Sequence, residues 1–330
     1  TSSRRGRLRS STPSELTAFS ETGPASTPIR VYAGLDSAAT LDERAALVVL
    51  ELDRTKAAEH EAVVVVTTTG TGWVDPDAAE AIEFMYGGDT AIAAMQYSFL
   101  PSWIQFLVGT ELAGEARAAI NAAVYAWWDE LEEPRPKLFL FGESLGSLGL
   151  ETALAGASLD ESSASLGRSS GVLMTGPTAS NPVWQQLAEA REAGSPVWKP
   201  VYDGGSTVRT ANQPQDPPTA GAAPWEQPRT LYFPHPSDPV GYWNLSTLWS
   251  RPEWVDDPIG YDVSPEVTWF PIVTWGRVSA DVIAGFSAGP GFGHNYSVDF
   301  VSGWAAVAPP DGWSGDDTAR LAAHLDAGTE

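Results

Sequence analysis

Two windows of the form Gly-x-Ser-x-Gly occur in the chain, Gly142-Glu143-Ser144-Leu145-Gly146 and Gly285-Phe286-Ser287-Ala288-Gly289. Such a window can hold a serine on a sharp turn from a strand into a helix. The hydroxyl then stands clear of the backbone beside a helix N-terminus and can attack an acyl group. The chemistry needs the strand before the turn and the helix after it. Lys137 to Phe141 is a short apolar run entered from a Pro-containing turn, and Leu145 to Gly156 is a small-residue run of helical character, so Ser144 meets both conditions. Ser287 is followed by Pro290, Gly291 and Gly293, which oppose a helix. Ser144 is therefore the candidate nucleophile and Ser287 a chance match. Glu143 beside it reads as a structural group that hydrogen-bonds or ion-pairs near the helix start.

A serine hydroxyl is a weak nucleophile until an imidazole takes its proton, and the imidazole needs a third group to fix its tautomer. Four histidines are available. His60 closes an expected helix and His324 lies in an amphipathic C-terminal helix, both at the surface. His294 follows a Gly-rich turn and precedes an apolar helix, and it is the candidate base. The acid belongs between serine and histidine in chain order, at the end of a strand. Thr230 to Phe233 is that strand, and Asp238 in the following Pro234-His235-Pro236-Ser237-Asp238-Pro239 loop is the candidate acid. His235 is the rival base, but it precedes the acid in the chain. For the oxyanion, one expected donor is the Leu145 N–H. Thr69, Gly70 and Thr71, in the polar loop after the Ala62 to Val66 run, are candidates for another. An ordinary strand-to-helix turn is the bland reading of that loop. This scheme uses no cofactor and no metal.

The elements that must position these groups alternate along the chain. Apolar runs at Ile29 to Ala33, Ala62 to Thr67, Ala91 to Phe99, Lys137 to Phe141, Gly171 to Thr175 and Thr230 to Phe233 are separated by helical patterns. Those helices are expected at Leu41 to Glu59, after Asp75, at Leu112 to Leu131 and at Pro182 to Ala193. This βαβα rhythm predicts an α/β fold, with a mainly parallel sheet of about seven or eight strands and helices on both faces. Residues 1–28, rich in Ser, Thr, Pro and Arg, read as a tail or linker. Residues 29–330 then form the domain, and Asp203 to Pro228 a long surface loop. Trp243, Trp249, Trp254, Trp269, Phe270 and Trp275 crowd one stretch, which reads as a cap or lid inserted at about 239–290, or equally as the last part of the core. Trp73, Trp103, Trp243 and Trp269 are candidates to line an apolar substrate pocket. No internal repeat or heptad pattern bears on oligomeric state.

The 330 residues are 43% hydrophobic, enough for one large core. Forty-two acidic residues against nineteen basic ones give a net charge of −23, which repels nucleic acid and anionic lipid surfaces alike. The absence of cysteine excludes a disulfide framework, a Cys nucleophile and Cys-ligated metals. Ala91 to Gly109 is the most membrane-like stretch, but polar residues and Pro101 interrupt it. A start at Thr1 without methionine or signal-peptide pattern suggests a fragment or processed form, soluble as given.

Several strings in order resemble a known family. They are IRVYAGLDSA from Ile29, VVVVTTTGTGWVDP from Val63, QYSFLPSW from Gln96, GESLGSLG from Gly142, SNPVW from Ser180 and HPSDPVGYW from His235. RPEW from Arg251, DVSPEVTWFP from Asp262 and GHNY from Gly293 complete the set. Together they resemble the α/β-hydrolase catalytic domain at the C-terminus of multi-pass, mostly actinobacterial membrane proteins. The resemblance implies an α/β-hydrolase fold and a Ser144, Asp238, His294 triad. It also implies transmembrane helices ahead of Thr1, which would be the only membrane link, and a domain on the extracytoplasmic side of the cell membrane. The expected activity is a serine esterase acting on a small-molecule or lipid ester. An acyltransferase with the same triad is the first alternative, and a non-catalytic binding domain the second.

Overall fold

Strand β2, Ala62–Thr67, shows how the sheet is built. Its four valines are fully buried on both sides: Val63 and Val65 point into one apolar cluster, Val64 and Val66 into the other. A strand buried on both faces reads as a continuous β-branched run, and it calls for helices above and below. The computed structural model describes residues 11–20, 23–69, 71–99, 110–216, 223–285 and 288–327. Among them β2 pairs with β3 (Thr90–Met95) and β4 (Lys137–Glu143), β3 with β1 (Ile29–Ala33), β4 with β5 (Gly171–Thr175), and β5 with β7 (Arg229–Phe233). Strand β6 (Val208–Thr210) borders β7, giving seven strands in the order β1-β3-β2-β4-β5-β7-β6. Every pairing is parallel. All strands therefore end on one side, where loops can converge on a ligand.

One face is covered by α1 (Pro13–Phe19), α3 (Pro76–Met85), α9 (Phe300–Val307) and α10 (Gly315–Ala327). The other face carries α2 (Leu41–Arg54), α4 (Thr110–Asp129), α5 (Leu145–Leu154), α6 (Leu159–Leu166) and α7 (Pro182–Glu189). Helix α8 (Val273–Ala284) belongs to the stretch between β7 and His294, with short 3₁₀ turns at Pro239–Gly241, Leu245–Leu248 and Glu253–Val255. Of the six aromatic residues crowded there, none is buried. They do not complete the core. Trp243 instead donates its indole N–H to Ser279 Oγ at 2.9 Å, and Trp269 its own to the Thr247 carbonyl at 3.1 Å, tying the cap segments to each other.

Three expectations about the elements change. The supposed tail contains α1, opened by a capping box in which Glu15 N–H donates to Thr12 Oγ1 and Thr12 N–H to Glu15. Its Leu16 and Phe19 are buried, and Phe19 meets Phe84 edge-on at 5.3 Å, so packing begins before Ile29. The helix expected to run to Glu59 stops at Arg54, since Lys56 turns left-handed at φ 62°. The loop at 203–228 contributes β6 and buries Trp225, over which Arg209 and Arg229 stack at 4.7 and 5.2 Å.

Candidate active site

Ser144 sits between β4 and α5 with φ 55° and ψ −124°, a backbone state that residues with a Cβ rarely occupy. The fold holds it there from several sides. Its N–H donates to the Thr175 carbonyl at the end of β5 at 2.9 Å. Its own carbonyl accepts from Ser147 Oγ at 2.7 Å, and Ser147 Oγ accepts from Asn181 Nδ2 at 3.0 Å. Asn181 also donates to buried Glu151, whose carboxylate further accepts from Tyr232 Oη and the first N–H groups of α7 at Val183 and Trp184. Two glycines permit the tightness. A Cβ on Gly142 would lie 2.8 Å from Ser147 Cα, and one on Gly146 only 2.1 Å from the Thr67 carbonyl oxygen.

Asp238, at the N-cap of the 3₁₀ turn after β7, and His294, in the loop before α9, come together over 56 residues of sequence. His294 Nδ1 lies 2.7 Å from Asp238 Oδ2. That oxygen also accepts from Tyr296 Oη at 2.8 Å, and Oδ1 accepts from the Val240 N–H at 2.9 Å. A carboxylate can only accept here, so His294 carries its proton on Nδ1 and presents Nε2 as the basic nitrogen. Gly176, at φ 57°, lets the ring approach: a Cβ there would meet His294 Cε1 at 2.9 Å. Ser144 is bonded to Thr175 and His294 lies against Gly176, so both flank the same corner at the end of β5. Ser144, Asp238 and His294 are all buried.

Leu145, one of the expected oxyanion donors, directly follows Ser144. Leu145 is the first residue of α5, where an N–H has no partner one turn back. The loop after β2 begins beside the turn, because Thr67 is in register with Gly142. Thr69 is buried there and Thr71 exposed, while Gly70 lies outside the described residues. Trp103, with its neighbours Leu100 to Ser102, and Ser287 also lie outside them. Trp73 stands 38% exposed beyond that loop. His60 pairs with Asp89 at 3.0 Å, and His324 packs on Phe19 and Phe84 away from the strand ends.

Two features were not visible in the sequence. Glu143 was expected to hydrogen-bond or form an ion pair, yet it does neither among the described residues. Its neighbours are acids: burial and the charges of Asp75, Asp77 and Asp238 push its carboxyl well above the usual range. Asp75, which caps α3 by accepting from the Asp77 N–H, is itself pushed up to about 6, by burial first and then by Asp77. The second feature is a small cleft of about 80 Å³ on the flank of Asp238, lined by Trp184, Trp198, Tyr242, Trp254 and Tyr296 among others. Trp243 and Trp269 are not on its wall; Trp243 packs on Trp275 at 6.2 Å instead. The cleft draws on five separate stretches, 177–184, 197–198, 234–242, 254 and 296, so no local pattern announces it.

Among the described residues no helix is long and apolar enough to cross a membrane, and no cluster of three or more metal-ligating side chains forms. A profile described as the alpha/beta-hydrolase family matches residues 29–321. Among solved structures, the chain is similar to Trichoderma reesei cutinase in complex with a C11Y4 phosphonate inhibitor, at 15% identity and a TM-score of 0.32. The match covers 74% of this chain and 87% of that one. A search of curated protein sequences finds no match.

Proposed function

The chain belongs to the alpha/beta-hydrolase family, and on that premise we propose that it is a serine hydrolase of carboxylic esters with Ser144, Asp238 and His294 as its triad. The observation that carries this reading is the strained serine at the end of β4 sharing the corner at Thr175 and Gly176 with an imidazole already bonded to a buried carboxylate. In the proposed reaction His294 Nε2 takes the Ser144 hydroxyl proton as Oγ attacks the ester carbonyl. Asp238 steadies the resulting imidazolium, and the Leu145 N–H with a donor from the Thr69 to Thr71 loop holds the oxyanion. The protonated alcohol leaves, and water activated by the same imidazole releases the acid.

The aromatic cleft beside Asp238 and the apolar cap favour a hydrophobic ester. An alcohol in place of water would use the same groups, and product analysis with added alcohols separates hydrolysis from acyl transfer. Action on the extracytoplasmic side of a membrane is part of the same proposal and is supported by the resemblance of the sequence strings alone. A fluorophosphonate probe tests the central claim. It should label wild type at one site, mapped to Ser144 by mass spectrometry, and leave Ser144→Ala unlabelled. Equal labelling of both, or none of folded wild type, refutes it.

A further inference from the structure

His235, the rival histidine, is buried and takes no part in the scheme above. Its ring lies between two acceptors. Nδ1 is 2.9 Å from the carbonyl oxygen of Gly293, and Nε2 is 2.9 Å from Asp299 Oδ2 at the start of α9. A backbone carbonyl can only accept, so Nδ1 must carry a proton. Both partners of the second contact are completely buried, and the other oxygen of Asp299 has no partner among the described residues. A bare carboxylate in that place is costly, so a second proton is shared between Nε2 and Asp299.

The bond to Gly293 matters because Gly293 precedes His294. Its carbonyl accepts from His235, and its N–H donates to Ser237 Oγ at 2.9 Å. Both backbone groups next to the catalytic histidine are therefore held by the loop that carries Asp238. The ring of His235 also stacks on Tyr296 at 4.1 Å and 14°, and the His235 N–H donates to Tyr296 Oη, whose proton goes to Asp238. We infer that His235 is a positioning residue: a doubly protonated pair with Asp299 clamps the His294 loop onto the acid loop, and loss of the shared proton releases the clamp. This inference rests on the triad reading for its effect on rate, but the clamp itself is independent of any reaction.

The charged and titratable groups facing the pair are few. Asp238 lies on the same loop and Tyr296 on the histidine loop, Asp262 approaches through its bond to Ser237, and Tyr261 of the cap feels Asp299. Burial alone would lower the pKa of His235, but the bond and charge of Asp299, the Gly293 carbonyl and the charge of Asp238 raise it overall; Asp299 is raised as well, chiefly by burial. The pair thus keeps its proton to higher pH than an exposed histidine would.

Histidine-selective ring NMR with ester kinetics tests the clamp. In wild type, His235 should show both ring nitrogens protonated at neutral pH, and His294 a low-field Nδ1 proton from its bond to Asp238. His235→Gln should broaden or lose the His294 signal and lower kcat by roughly 10- to 100-fold with KM within about twofold, the scale of a misplaced catalytic group. In Asp299→Asn, the amide N–H can donate to Nε2 of a neutral His235 that still holds Gly293. That variant should recover the His294 signal and most of the rate, and the alkaline fall of kcat in wild type should disappear. A singly protonated His235 in wild type, an unchanged His294 signal in folded His235→Gln, or an unaltered alkaline limb in Asp299→Asn each overturns the inference. If the NMR results hold while Ser144 resists fluorophosphonate, the hydrolase reading falls and the clamp stands.

Discussion

Replacing Asp238 by asparagine keeps the volume of the side chain and removes what the site asks of it. The wild-type carboxylate accepts three hydrogen bonds, from His294 and Tyr296 on Oδ2 and from Val240 on Oδ1. An amide has one oxygen and one NH₂. With the oxygen toward His294, the NH₂ opposes the Val240 N–H, and a buried donor pair is left unsatisfied at about 1–3 kcal/mol of stability. With the NH₂ toward His294, the ring must present its Nδ1 lone pair, which puts the proton on Nε2 and leaves no base facing Ser144. The first orientation loses the charge that supports the imidazolium, and the second loses the tautomer. A wrong tautomer in a serine triad costs about 10⁴-fold in kcat. Asp238→Asn should therefore lower kcat on a chromogenic acyl ester by about 10³- to 10⁴-fold, or roughly 4–5.5 kcal/mol in the barrier. KM should stay within a few-fold, and fluorophosphonate labelling should slow in parallel. A folded Asp238→Asn protein losing less than about tenfold refutes the assignment of Asp238 as the orienting acid.

Two further substitutions probe the turn and its acidic surroundings. Gly146→Ala would place a Cβ 2.1 Å from the Thr67 carbonyl oxygen, and both sides are backbone. It should cost about 1–3 kcal/mol in urea unfolding and slow labelling of Ser144, and wild-type values for both would show that the turn tolerates a wider approach. Asp75 is pushed up to about 6, so the folded state binds more protons than the unfolded chain between about pH 4 and 6. The stability lost to Asp75 therefore grows as pH rises through that window. Asp75→Asn keeps an N-cap acceptor and removes the charge. It should stabilise the protein by up to about 3 kcal/mol above pH 6 and leave it nearly unchanged near pH 4. An equal effect at both values in urea unfolding counts against the repulsion.

The central strands could be read from sequence because each is an apolar run short enough for a strand and bounded by turn residues, as at Ala62–Thr67 and Gly171–Thr175. The choice between the two serine windows rested on local rules, namely a strand before and a helix after, and the structure places Ser144 at that junction. The position of His294 and Asp238 came from chain order, and the two meet at 2.7 Å. What escaped notice depends on contacts between distant segments. Helix α1 has only seven residues and two buried side chains, so its periodicity is weak, although Thr12-Pro13-Ser14-Glu15 spells the capping box. Strand β6 is three residues long and exists because β7 offers an edge. The environment of Glu143 is set by Asp75 and Asp77, more than sixty positions away, and no local pattern announces it.

The corner at Thr175 and Gly176 has a consequence for how the protein is made and lost. Ser144 leans on the end of one strand, its neighbour β5 supplies the corner, and Asp238 follows β7, while His294 arrives from much later in the chain. No short run of consecutive residues contains the working geometry. Contacts of such long sequence separation close late, after the entropy of the intervening loops has been surrendered. Catalytic competence should then be among the last properties to appear on refolding and among the first to vanish when the middle of the sheet loosens. Loosening of the outer strands β1 and β6 would leave it standing longer. Activity in this molecule is thus a gauge of long-range order at the centre of the sheet, and it reports on the fold more sharply than its helix content can.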